Sequence, residues 1–181
     1  VLMLKVNHTE SSPLHDKAVR NAIAHIINYD SMAKIIGNGS TPGAAPFPPS
    51  ANLGYDAIAN KAMTDVAKAD QILTQAGYAK NANGIYAKDG KELALTLAIW
   101  GKDTSLYEEI QQELKKAGIA VTLKKLQSPD EVDTLGTDGF DLVERNVVTM
   151  STNDPYWFLS LFYKSGAKAN VGAYSNPQVD A

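Results

Sequence analysis

The chain has 181 residues, 44% hydrophobic and 20% charged, enough for one well-buried core and too few for two. Its 17 basic and 20 acidic residues give a net charge of −3, and without a run of five or more Lys or Arg there is no electrostatic footprint for a nucleic-acid partner. The lack of cysteine excludes a disulfide framework, a thiolate metal site and a cysteine nucleophile, and no apolar run approaches the ~18 residues that span a bilayer.

Residues 1–6 alternate as a strand, without an initial Met. Pro13 and Asp16 precede a helix over Lys17–Asn28, with Ala18, Ala22, Ile23, Ile26 and Ile27 on one stripe. Asp30 is placed to cap a short helix, Ser31–Ile36, that Gly37 or Gly39 ends. Four prolines in Thr41–Ser50 predict an extended strap leading into Ala51-Asn52-Leu53-Gly54. Thr64 opens a helix over Asp65–Ala76, with Val66, Ala69, Ile72 and Leu73 on one face and Gly77 beyond its end. Asn83-Gly84 and Asp89-Gly90 then mark the turns of a small hairpin whose second strand, Glu92–Trp100, enters the core.

Ser105 and Glu108 have the spacing of a capping box, followed by a stripe of Ile110, Leu114 and Ala117, a stop at Gly118 and a strand over Ile119–Leu123. Strand, helix and strand in this order predict a parallel crossover. A second capping box, Ser128-Pro129-Asp130-Glu131, opens a short helix that ends near Gly136, and Phe140–Val148 is the next strand. Asp154-Pro155 starts a helix over Tyr156–Tyr163 whose aromatics surround most of its circumference, which predicts burial. The expected fold is α/β, a mixed, partly parallel sheet flanked by helices. The last residues, Asn176–Ala181, read as a helix start cut short, so residues 1–181 are expected to be a single domain excised from a longer protein.

His8, His15 and His25 have spacings that suit no helical pair of metal ligands. The carboxylate pairs Glu108-Glu109 and Asp130-Glu131 fall in first helical turns, where the helix dipole favours them. With neither a phosphate-binding glycine loop nor a nucleophile elbow present, the chain reads as a binding protein and not an enzyme, with no cofactor. Ligands of open α/β sheets bind beyond the carboxyl ends of strands, near helix N-termini. That rule selects the end of the Phe140 strand and the loop after it: Arg145, Asn146, Thr149, Met150, Ser151, Asn153, Tyr156 and Trp157.

Six stretches in order resemble one family. Asn7 followed by Pro13-Leu14-His15-Asp16-Lys17-Ala18-Val19-Arg20-Asn21-Ala22-Ile23 is the first, and residues 66–78, ending Ala76-Gly77-Tyr78, are the second. Residues 110–119, Phe140-Asp141-Leu142, Asp154-Pro155 with Phe158-Leu159, and Tyr174-Ser175-Asn176-Pro177 complete the series. Together they resemble the peptide and nickel binding class of extracellular solute-binding proteins (family 5). The resemblance implies a periplasmic-binding-protein-like clamp of which this chain is the second lobe. It also implies a lipid-anchored position on the outer face of the cell membrane or a periplasmic one, membrane permease subunits of an ABC transporter as partners, and a monomer.

Peptide binders of this family show a Trp and then an Asp shortly before Asp-Pro, the Asp pairing with the peptide ammonium. Val148 and Ser151 stand at the matching positions here. An unpaired buried ammonium would cost roughly 3–5 kcal/mol. Ala51-Asn52-Leu53-Gly54 and Arg145 resemble the nickel binders instead, in which a chelate with small carboxylates is held by Arg and hydrogen-bond donors. The resemblance therefore implies a nickel chelate or related small ligand as the transported cargo, with an oligopeptide or dipeptide as the alternative.

Overall fold

The structure is a computed structural model that describes residues 1–43, 47, 64–149 and 155–181. Most of the expected proline strap, and Ala51 to Gly54, lie outside the described residues. Four strands form the main sheet: β1 (Leu2–Val6), β5 (Ala94–Ile99), β6 (Ala120–Lys125) and β7 (Leu142–Asn146), in the order β1-β7-β5-β6. β5 runs parallel to both β6 and β7, and β1 closes one edge antiparallel to β7, with Leu2 opposite Asn146 and Val6 opposite Leu142. The mixed, partly parallel sheet expected from the sequence is the one observed.

Helices α1 (Lys17–Ile26), α2 (Tyr29–Ile36) and α3 (Val66–Gln75) precede the parallel strands. Asp16 caps α1 by accepting the Ala18 N–H at 2.8 Å. The next two caps differ from the expected ones by a residue or two. Asn28, not Asp30, caps α2, because its Oδ1 is within reach of the Ser31 N–H at 3.1 Å and leaves Asp30 inside the first turn. Asp65, not Thr64, caps α3 through the Lys68 N–H, while the Thr64 hydroxyl donates to the Ile27 carbonyl at 2.8 Å.

A separate three-stranded sheet, β2 (Ala79–Lys80), β3 (Tyr86–Lys88) and β4 (Lys91–Glu92), holds the hairpin. Its turn places Asp89 and Gly90 at φ 51° and 76°, the double positive φ that suits the twist of a two-residue hairpin. The expected single strand over Glu92–Trp100 is thus two strands. It belongs to the small sheet through Glu92, passes Leu93, and enters the main sheet as β5.

α4 (Ser105–Ala117) carries the crossover from β5 to β6. Ser105 is its first residue and not its cap: Asp103 Oδ1, two residues earlier, already accepts the Ser105 N–H at 3.0 Å, and Glu108 receives the Thr104 hydroxyl instead. Gly118 ends the helix at φ 104°, and a Cβ there would stand 2.7 Å from the Gly84 carbonyl oxygen, so close docking of the hairpin turn requires glycine. α5 (Glu131–Leu135) leads into β7. Ser128 does not supply the expected side-chain cap; Glu131 reaches back to the Gln127 N–H at 3.1 Å.

α4 and α5 lie on opposite faces of the sheet. On the first face α1, α3 and α4 bury Val19, Ile23, Leu73, Ile110 and Leu114 against Leu95, Leu97, Ile99 and Leu142. On the second, Val132 of α5 packs with Ala98, Leu126, Phe140 and Val143. α6 (Pro155–Phe162) and the short α7 (Pro177–Asp180) complete the chain. The expected burial of α6 does not hold: only Phe158 and Phe162, one turn apart, are buried, while Tyr156 is 70% exposed, Trp157 42% and Leu159 36%. The helix buries one narrow stripe against the body, so Tyr156, Trp157 and Leu159 face outward.

Candidate functional site

The residues that carried the family resemblance cross-link the fold. Asn7, 1% exposed, closes the end of β1 by donating from Nδ2 to the Phe140 carbonyl at 2.9 Å and accepting the Thr9 N–H on Oδ1 at 3.0 Å. Asp141 accepts the Ser12 hydroxyl on one oxygen at 2.6 Å and the Thr96 N–H on the other at 2.7 Å. Arg20 donates to the carbonyls of Leu14 and His15 at 2.7 and 2.8 Å. Each satisfies backbone groups that a loop would otherwise bury unpaired.

β5 sends the chain through α4 to β6 on one side, and α5 then carries it back across to β7 on the other. The carboxyl ends of β5 and β7 therefore flank a switch point, where an open α/β sheet forms its ligand crevice. Their paired register extends to Ala98 opposite Val143. Beyond it stand Trp100 on one strand and Arg145 on the other, with the guanidinium carbon 5.4 Å from the indole centroid, within cation–π range.

Arg145 and Asn146 line a cavity of about 340 Å³ with Asp130, Asp133, Lys168 and Phe162. Burial lowers the Arg145 pKa, opposed by the negative charges of Asp133, Glu144 and Asp130. Its Nε is buried and has no hydrogen-bond partner among the described residues. A buried donor in that state is costly, and an incoming acceptor would relieve the cost.

Of the other expected site residues, Thr149 is buried just past β7. Tyr156 and Trp157 stand at the outer start of α6, Trp157 meeting the Phe162 ring edge-on at 6.4 Å. Met150, Ser151 and Asn153 lie outside the described residues. Sequence reasoning missed Trp100, Asp130, Asp133 and Lys168. Trp100 was available to the same strand-end rule that selected Arg145, applied to β5.

Lys5 fixes the far end of α6. Though only 5% exposed, it donates from Nζ to the Phe162 carbonyl at 2.7 Å and lies 4.0 Å from the Tyr163 ring centroid. Burial, and then repulsion from Arg145, lower its pKa to about 8. Burial likewise lowers His8 to about 4, helped by Arg20, Lys5 and His15. His15 turns its Nδ1 to the His8 carbonyl at 2.9 Å, which requires the Nδ1–H form. Among the described residues, no three or more His, Asp or Glu side chains are grouped to hold a metal ion.

Residues 1–170 match the family described as bacterial extracellular solute-binding proteins, family 5, middle region. Among solved structures, the chain is similar to NikZ from Campylobacter jejuni in complex with Ni(L-His), at 23% identity and TM-score 0.80, covering 99% of this chain and 37% of that one. It is also similar to lactococcal OppA, complexed with an endogenous peptide in the closed conformation, at 23% identity and TM-score 0.85, with 99% and 37% covered. A third is a periplasmic oligopeptide-binding protein from Thermotoga maritima bound to mannohexaose, at 22% identity and TM-score 0.78, with 99% and 36% covered. The chain thus has the fold of a periplasmic-binding-protein lobe and spans a little over a third of the length of these proteins.

Proposed function

Because the chain belongs to the bacterial extracellular solute-binding proteins of family 5, we propose that it is one ligand-binding lobe of a two-lobed importer component. It captures a small carboxylate-bearing ligand, such as a nickel chelate, outside the cytoplasm and presents it to membrane permease subunits. The observation that carries the ligand class is the Arg145 guanidinium at the β5/β7 crevice, whose buried Nε has no hydrogen-bond partner among the described residues. A planar guanidinium grips a carboxylate through two parallel bonds, which a lysine cannot do.

Ser151, in place of a carboxylate, offers no charge-assisted bond to a peptide ammonium, which favours the chelate over an oligopeptide. Calorimetry of the full-length protein with nickel alone, nickel plus L-histidine or a small tricarboxylate, and a peptide library tests the reading. Saturable binding of a nickel chelate supports it, and binding confined to peptides replaces it with the oligopeptide alternative. Since a ligand enclosed between two lobes needs both faces, the 181-residue chain alone is expected to bind weaker than micromolar.

A further inference from the structure

Lys5 of β1 is a buried charge to which the binding reading assigns no role. It stands opposite Val143 in the β1–β7 pair, and directly opposed residues share a face of the sheet. Val143 packs on the second face, and Arg145, two residues further along β7, points the same way, so Lys5 and Arg145 lie on one side of the sheet. An ammonium that is 5% exposed is costly unless acceptors meet it, and an apolar side chain of the same length would fill the space at less cost.

What the ammonium meets is the end of α6. Phe162 is the last residue of that helix, so no following turn supplies an amide to its carbonyl; Lys5 Nζ donates to it instead, at 2.7 Å, from 157 positions away in the chain. The same ammonium lies 4.0 Å from the Tyr163 ring centroid and 5.7 Å from that of Phe162. α2 and α4 end differently, each on a glycine at positive φ, Gly37 and Gly118, whereas Tyr163, just past α6, has no positive φ. α6 thus takes its C-terminal closure from β1, through a cation that also suits the negative end of the helix dipole. Leu161 and Phe162 in turn line the cavity of Arg145, and the Phe162 ring meets Phe158 at 5.1 Å and Trp157 at 6.4 Å.

We propose that Lys5 is a positioning residue for the Arg145 cavity: by holding the Phe162 carbonyl it seats the last turn of α6, and so sets where Leu161 and Phe162 stand as walls of the cavity that Arg145 also lines. A helix of 8 residues, about 12 Å long, moves as one piece, so the same hold fixes Tyr156 and Trp157 at its start. The consequence for affinity rests on the ligand-binding reading above; the seating of α6 does not.

The first test follows hydrogen exchange in the 181-residue chain at the Tyr163 and Lys164 amides, which return to the Leu159 carbonyl at 2.9 and 3.2 Å. Lys5→Met, which removes the donor and keeps the length, is expected to speed both by about tenfold or more, while the Leu97 and Leu114 amides of the first face change less than about twofold. Unchanged exchange at Tyr163 and Lys164, or equal acceleration at Leu97 and Leu114, overturns the proposal. The second test measures nickel plus L-histidine binding by the full-length protein. Lys5→Met should weaken it by about tenfold with Arg145 present and by less than about twofold in an Arg145→Ala background, with a melting temperature at pH 7 no lower than that of wild type. Equal losses in both backgrounds, or a variant that melts lower or no longer folds, give Lys5 a role in stability alone and overturn it as well. If the wild-type protein binds none of the probes, the ligand reading fails while the exchange rates still decide whether Lys5 seats α6.

Discussion

The two faces of the main sheet are built differently. Against α1, α3 and α4 lies a continuous apolar cluster that runs from Leu14 through Leu97 and Leu114 to Leu142. Against α5 and the region of α6 the apolar cluster is Ala98, Leu126, Val132, Phe140 and Val143, and beside it sit the buried Lys5 and the half-buried Arg145. Apolar area removed from water stabilises at about 25 cal/mol per Å², so the first face supplies most of the folding energy. The second gives up some of that burial to place cations near the strand ends. On the proposed function, stability and recognition are separated by the thickness of one sheet.

That division orders the effects of mutation. Leu97→Ala, fully buried on the first face, should cost about 2–5 kcal/mol in urea unfolding, and Val132→Ala on the second about 1–2 kcal/mol. Equal costs would break the contrast. Asp141→Ala leaves the Ser12 hydroxyl and the Thr96 N–H without their acceptor and is expected to cost about 2–4 kcal/mol, with faster exchange of the Thr96 amide.

Lys5 sharpens the contrast through pH. The folded chain releases this proton near pH 8, whereas the unfolded chain holds it to about 10.5, so the unfolded state binds more protons across that window and stability rises with pH. Unfolding of wild type and Lys5→Met from pH 8 to 10.5 should show wild type gaining roughly 1–3 kcal/mol relative to the variant. A flat difference would mean that the ammonium is not penalised by its burial. The smallest stability effect is expected of Arg145→Ala: within about 0.5 kcal/mol for the empty full-length protein, while affinity for the nickel chelate falls by about tenfold or more, as measured by calorimetry.

The first face was the more legible in the sequence. The stripes of α1, α3 and α4 and the stop at Gly118 follow from helical spacing and glycine alone, and these elements build the larger core. Caps slipped by a residue or two because several neighbouring side chains could each reach the same amide, and only the folded geometry chooses Asn28 over Asp30 or Asp65 over Thr64. α6 was misread because aromatic content does not reveal which side of a helix finds a partner: Phe158 does, Tyr156 and Leu159 do not. The strand-end rule led to Arg145 and Asn146, which line the cavity, but could not foresee Asp133 and Lys168, brought there by elements distant in the chain.

The antiparallel edge strand bears on how the molecule is made. Val1 and Val147, 146 positions apart, meet at one end of the β1–β7 pair, so of the four strands of this sheet the first in sequence awaits the last. Until β7 leaves the ribosome, β1 has no partner in the sheet, while β5, α4 and β6, contiguous in the chain, can already assemble. Closing so long a loop late makes β1 docking a slow step, and during that interval Leu2, Met3 and Leu4 present an open edge to other nascent chains.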